Sequence, residues 1–317
     1  MTSLDVFAYT SHPDETLFYQ RNDANDPRMG EIVHSNRAAY ERSRTIILGC
    51  PQDEGVKRRG SRLGSSGAPD EIRSWFYQLS VSNLTDDPNF NLFDLGNLHI
   101  RATLEETHAA QRELVHQLLK DGKTVITLGG GGDVAYPDGM ALKEVADDIM
   151  LLSVDSHFDV REERLVSCGT ANRNLIAEGA VKAENFYALA YQVVANSPVY
   201  AKYLRGLGAH LHSLNDLREA GLLDTVRQIL VDKQAGSLMW TFDLDSVRAS
   251  DAPGVNAPMP LGLTGEEFCK LAEIAGNDAR TRVVQFVEVN SKYDLAGRTS
   301  HLTAVAMFHF LSGMNKR

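Results

Sequence analysis

From Arg44 onward, short apolar runs alternate with amphipathic stretches. The runs are Thr45–Gly49, Phe90–Leu95, Val125–Leu128, Ile149–Val154, Phe186–Ala190, Leu238–Leu244 and Val283–Val289. Each spans about 4–8 residues and several are almost continuously apolar, the pattern of parallel strands covered on both faces. Helical periodicity fills the gaps. Ala68–Leu79 is opened by Pro69, Leu104–Lys120 carries Leu114, Val115, Leu118 and Leu119, and Leu302–Met314 repeats the pattern. A further helix begins at Thr264, with Glu267 three residues on, a capping-box signature. This alternation predicts an α/β fold with a mostly parallel sheet and helices on both sides. No internal repeat and no Pro/Gly/Ser linker divides the chain, so residues 1–317 are expected to form one domain. Residues 1–40 are polar and turn-rich and are expected to be an N-terminal arm, either packed over the core or mobile.

Composition narrows the function. With 32 Lys+Arg against 42 Asp+Glu, the formal net charge is −10, so a global basic field for nucleic acid or anionic lipid is absent. Hydrophobic residues at 43% and charged residues at 23% give the usual globular balance and argue against long disorder. No run approaches the roughly 18 apolar residues of a membrane-spanning helix. The N-terminal stretch carries early acids rather than a basic-then-apolar signal. Cys50, Cys168 and Cys269 are odd in number and far apart, which fits a reducing, cytoplasmic setting better than a disulfide framework.

In parallel sheets, ligands bind outside the carboxyl ends of the strands. The run Ile149–Val154 leads into Asp155-Ser156-His157-Phe158-Asp159, and Leu238–Phe242 leads into Asp243-Leu244-Asp245. In extended chain, residues two apart share a face, so Asp155, His157 and Asp159 can converge, as can Asp243 and Asp245. A lone Asp-x-Asp also reads as a solvated strand end or a helix cap. Four carboxylates at one sheet edge would repel one another, and a divalent cation is the simplest compensation. Oxygen-rich ligation with one His suits a hard or borderline ion such as manganese, whereas zinc prefers nitrogen and sulfur. Glu288, within Val287-Glu288-Val289-Asn290, is expected to need a partner. A planar amidinium or guanidinium would serve, as would a helix cap or an arginine. The turn Gly129-Gly130-Gly131-Gly132-Asp133 follows a strand. Neither a dinucleotide fingerprint nor a phosphate-loop Lys-Ser/Thr accompanies it, so it predicts close backbone approach rather than a nucleotide site.

Taken together, the Gly-rich turn, Asp-x-His-x-Asp, Asp-x-Asp and Glu288 resemble the ureohydrolase family of arginase, agmatinase and formimidoylglutamase, in the family's order, from about Leu48 onward. Asp53-Glu54-Gly55-Val56-Lys57-Arg58, Arg62-Leu63-Gly64, Pro69, Asp155 to Arg161, and Ser167-Cys168-Gly169-Thr170 with Arg173 are most similar to the formimidoylglutamase branch. The resemblance implies a three-layer α/β/α sandwich, a binuclear manganese cluster, and hydroxide attack on an amidine or guanidine carbon. For that branch it implies N-formimidoyl-L-glutamate and water giving L-glutamate and formamide, a step in histidine degradation. It implies metal ligation by Asp155, His157, Asp159, Asp243 and Asp245, with Asp155, Asp159 and Asp245 shared and His157 and Asp243 serving single ions. Asp159 would also orient the hydroxide, Glu288 would hold the amidinium, and a homo-oligomer would be the assembly. Arg161 and Arg173, in the motif loops, are the expected partners of the substrate's carboxylates, unless they are spent in surface ion pairs.

Three departures qualify the resemblance. Gly132 stands where the family has a sixth ligand, a His, so one of the two ions is expected to bind more weakly. Cys168 stands where arginase-like members carry a His, which argues against arginase more than against amidine hydrolysis. Ala171-Asn172 replaces Pro-Phe in the loop that selects the substrate tail. Two alternatives stay open beside the formimidoylglutamase reading. One is a ureohydrolase acting on another guanidino acid or amine. The other is a non-catalytic relative with an impaired cluster.

Overall fold

The structure is a computed structural model that describes residues 4–81, 84 and 90–317. Among the described residues the strands are β1 (Thr10–Ser11), β2 (Thr45–Gly49), β3 (Leu92–Leu98), β4 (Thr124–Leu128), β5 (Ile149–Val154), β6 (Phe186–Tyr191), β7 (His210–Ser213), β8 (Ser237–Asp243) and β9 (Thr281–Val287). They form one sheet in the order β1-β3-β2-β4-β9-β8-β5-β6-β7. Every pairing is parallel except that of β1, which runs antiparallel along β3.

Neighbouring strand residues feed opposite cores, as the pleat requires. Ile47, Leu152, Trp240 and Val284 pack on one face with Ile72, Phe268, Leu271, Met307 and Phe310. Ile46, Leu151, Met239 and Val283 pack on the other with Leu114, Leu118, Met140 and Leu175. The helices Ala68–Phe76, Gly265–Asn277 and Arg298–Met314 therefore cover one face, and Leu104–Lys120, Ala135–Lys143 and Ala171–Ala177 the other. Three layers result, as expected.

The expected strands and helices are present, and their ends move for local reasons. β3 runs on past Leu95 to Leu98, where Arg73 donates to the Gly96 carbonyl (2.9 Å) and Asn97 Oδ1 (2.6 Å) as well as to the buried carboxylate of Asp94 (2.8 and 3.0 Å), which also accepts from Tyr77 (2.5 Å). The helix from Ala68 ends at Phe76, where i→i+3 bonds tighten Tyr77 to Leu79 into turns. The capping box forms as read: Thr264 accepts from the Glu267 N–H at 3.1 Å, and Glu267 accepts from the Thr264 N–H at 2.7 Å. The last helix starts four residues early, at Arg298, because Asp294 accepts from the N–H groups of Thr299 (2.9 Å) and Ser300 (2.8 Å). β1 and β7 carried too little apolar signal to be read, β1 having two residues and β7 two histidines.

The arm lies against this body, with Val6, Met29 and Val33 buried; its residues 1–3 fall outside the described residues. Among the described residues, no helix is long and apolar enough to cross a membrane.

Candidate metal centre and active site

Four adjacent strands deliver the site. In sheet order, β4 ends in the glycine turn, β9 in Glu288, β8 in Asp243 and Asp245, and β5 in Asp155, His157 and Asp159. The β4/β9 ladder continues past both strands through Gly129 N–H to Phe286 O (2.9 Å) and Glu288 N–H to Gly130 O (3.0 Å), which sets the turn beside the glutamate. The Gly132 N–H then donates to Glu288 Oε1 at 2.7 Å. Asn256 donates its amide to the other oxygen of Glu288 at 2.6 Å.

Convergence comes about differently from the extended-chain expectation. β5 stops at Val154, and the loop after it brings Asp159 round in a left-handed conformation (φ 50°). β8 ends at Asp243, where the Asp245 N–H donates to Asp243 Oδ1 at 2.8 Å and turns the chain. Glu288 lies one residue past β9 with φ 65°, which ends that strand. Left-handed φ is uncommon outside glycine, and two such residues in one cleft mark backbone held for the site rather than for the sheet.

The acidic side chains fall into two groups. Donor atoms of Asp155, His157 and Asp245 lie within 4.8 Å of one another, and so do those of Asp155, Asp159 and Asp243. Only Asp155 belongs to both. The first group sets Asp245 beside His157, and the second sets Asp243 beside Asp159. Nδ1 of His157 is 3.0 Å from Asp245 and 3.5 Å from Asp155. Oδ1 of Asp245 is buried with no hydrogen-bond partner.

Electrostatics follow from crowding. Burial, then the Asp245 charge, pushes Asp155 up to about 6 and Glu288 up to about 7. Burial with Asp155 beside it raises Asp159, and burial with Asp245 beside it raises Asp243. The Asp245 carboxylate holds His157 protonated up to about 12. Burial also pushes the Cys168 thiol up, well above its ordinary range. A group of acids this destabilised as anions, with an orphaned carboxylate oxygen among them, is what a cation site looks like before its cation is added.

The arginase family profile matches residues 43–313. The chain belongs to the arginase family. It is 27% identical to the formimidoylglutamase of Macrococcus caseolyticus over 310 residues, 94% of this chain and 96% of that one. It is 27% identical to the formimidoylglutamase of Bacillus subtilis over 264 residues, 80% and 83% of the two chains. Its fold superposes on Trypanosoma cruzi formiminoglutamase with Mn2+2 at a TM-score of 0.86 and 29% identity, covering 92% of this chain and 99% of that one.

The departures in this arginase-family chain have definite places. Gly132 has an ordinary backbone conformation, and a Cβ there would stand 3.4 Å from Asp159 Oδ2. Its missing side chain therefore faces the Asp155/Asp159/Asp243 group. Arg161 lines the cleft together with Arg59, Cys168, Tyr200 and Glu288. Arg173 does not line it; its guanidinium pairs with Glu162 at 3.2 Å, donates to the Val160 carbonyl at 3.3 Å and lies over the Tyr203 ring. Two site residues escaped the sequence reading. Asn256 comes from a loop 32 positions before the glutamate it holds. Arg59 sits in the run Lys57-Arg58-Arg59, which reads as a solvated helix face.

Proposed function

We propose that this protein hydrolyses the C–N bond of a linear amidine, N-formimidoyl-L-glutamate, to L-glutamate and formamide, a step in histidine degradation. The observation that carries the reading is the convergence of Asp155, His157, Asp159, Asp243 and Asp245 beside Glu288 at the ends of three adjacent strands. Formimidoylglutamases with similar chains support the choice of substrate.

The donor set fits manganese: one imidazole and four carboxylates, one of which, Asp245, has a buried oxygen without a partner. Asp155, His157 and Asp245 would hold one ion, and Asp155, Asp159 and Asp243 the other, the weaker one because Gly132 brings no imidazole. When bound, the two ions supply Lewis acidity and a water ionised near neutral pH. Asp159 would orient that water. Glu288 faces the amidinium, with Gly132 and Asn256 fixing its carboxylate while leaving lone pairs for substrate. Cys168, kept a thiol by its surroundings, is a wall rather than a nucleophile.

Three buried free cysteines fit a cytoplasmic protein. Assembly into a homo-oligomer is part of the same reading, and light scattering that returns 34.9 kDa would remove it.

The test is a substrate panel with manganese-loaded enzyme: N-formimidoyl-L-glutamate, arginine, agmatine and 4-guanidinobutyrate. Preference for the first is expected. Preference for a guanidine would make the protein another kind of ureohydrolase, and metal binding without turnover of any of them would sink the enzymatic reading.

A further inference from the structure

The cleft is electrically two-ended. Its floor holds Asp159, Asp243, Asp245 and Glu288, and its wall holds two guanidinium groups, Arg59 and Arg161. These arginines come from separate segments, one from the helix Glu54–Arg59 and the other from the loop after β5, and they meet over Gly169. A Cβ on Gly169 would lie 3.0 Å from Cδ of Arg161, 3.1 Å from Cδ of Arg59 and 3.2 Å from Nε of Arg59. A side chain there would crowd both stems by a few tenths of an ångström.

Neither guanidinium is engaged. Among the described residues, no hydrogen bond or ion pair occupies the side chain of Arg59 or Arg161, although the neighbours are paired. Lys57 bonds Glu54, Arg58 bonds Glu54 and Glu105, and Arg173 bonds Glu162. Two half-buried, unpaired cations side by side repel each other and give up part of their hydration, an arrangement that suits anions arriving from outside.

We propose that Arg59 and Arg161 together bind the two carboxylates of a dicarboxylate tail, and so set the specificity of the site. The inference rests on the formimidoylglutamate reading and deepens it. In that substrate the nitrogen is masked by the formimidoyl group, so the tail offers two carboxylates and no ammonium. Its cationic amidine end matches the acidic floor and its dianionic end matches the arginine wall. A guanidino amino acid carries an ammonium beside its single carboxylate, and this wall would repel it. Guanidinium groups also present paired donors that fit a carboxylate edge-on, which a lysine would not.

The test uses manganese-loaded Arg59→Gln and Arg161→Gln, with Lys57→Gln as a charge control on the same helix. For N-formimidoyl-L-glutamate, each arginine variant should raise KM by about 10–100-fold, the loss of a charge-assisted hydrogen bond pair, with kcat within about threefold. N-Formimidoylglycine, with one carboxylate, should be far less sensitive to at least one of the two. Arg59→Lys should fall between wild type and Arg59→Gln, and metal content should not change in any variant. If Arg59→Gln keeps the wild-type KM, or behaves like Lys57→Gln, the pairing is wrong. Calorimetry with N-acetyl-L-glutamate separates this result from a wrong function. Should wild type not hydrolyse formimidoylglutamate, the function falls, while equal N-acetyl-L-glutamate affinity in wild type and both variants would overturn the arginine pair itself.

Discussion

Gly132 donates its main-chain N–H to Oε1 of Glu288 at 2.7 Å while offering no side chain to the carboxylates on its other side. One residue thus fixes the Glu288 carboxylate and brings no imidazole to the acids beside it. Gly132→His should fit, because the backbone is not left-handed and a Cβ meets nothing closer than 3.4 Å. Under limiting manganese, wild type is expected to hold fewer than two ions per chain and the variant to move towards two, with higher activity. Two tightly held ions in wild type and no gain in the variant would show that another donor already replaces the imidazole.

Removing a carboxylate should be worse than removing a neighbour. Asp155→Ala, which strips the one residue common to both groups, and Asp245→Ala should each release metal. Activity should fall by more than about 100-fold, beyond the cost of losing an outer-shell partner of a metal ligand. Metal analysis with steady-state assays checks this, and full activity in either variant would remove the cluster from the mechanism.

The metal-free protein should lose stability as pH rises. Asp155 and Glu288 have folded-state values pushed up to about 6 and about 7, above their ordinary ones. Acids raised in the folded state bind protons more tightly there, so their contribution is present below their ordinary values and is lost as pH climbs through about 6 to 7. Manganese neutralises the same charges and cannot compete with protons at low pH. The gap between the melting temperatures of manganese-loaded and metal-free protein should therefore be small near pH 5 and wide near pH 8. A constant gap would contradict it.

Arg73 is a stability site and not a catalytic one. Its buried guanidinium binds the buried carboxylate of Asp94, and Tyr77 donates to the same acid. Arg73→Ala would strand that charge and should cost about 3–5 kcal/mol in denaturant unfolding, without changing manganese content per folded chain. Loss below about 1 kcal/mol would mean that the acid is protonated or hydrated instead.

The central strands were legible because a strand covered on both faces must be apolar throughout, and β2 and β5 have the bounds read from the sequence. β3 is read to Leu95 and stops short of Leu98 because Gly96 and Asn97 look like a turn, and a glycine with φ 87° inside a strand leaves no trace in composition. In the site, residue chemistry was readable where ligands cluster within five positions, as from Asp155 to Asp159. The reason they converge was not, since a left-handed Asp159 leaves no trace in composition. Asn256 is hidden because the glutamate it holds lies 32 positions on, and Arg59 because the cleft it lines is built from other parts of the chain. An asparagine in a loop and a third cation in a basic run have too many ordinary explanations.

The pairing of β4 with β9 also bears on how the protein is made. Leu128 lies beside Phe286, and Glu288 follows at once, so the second wall of the centre comes from the last strand to leave the ribosome. Until then, β4 and β8 lack the strand that lies between them, and the acids on β5 and β8 have no glutamate opposite. A nascent chain arrested before residue 288 therefore carries the whole Asp155, His157, Asp159, Asp243 and Asp245 cluster together with both cleft arginines, and lacks the one carboxylate that closes the acidic floor.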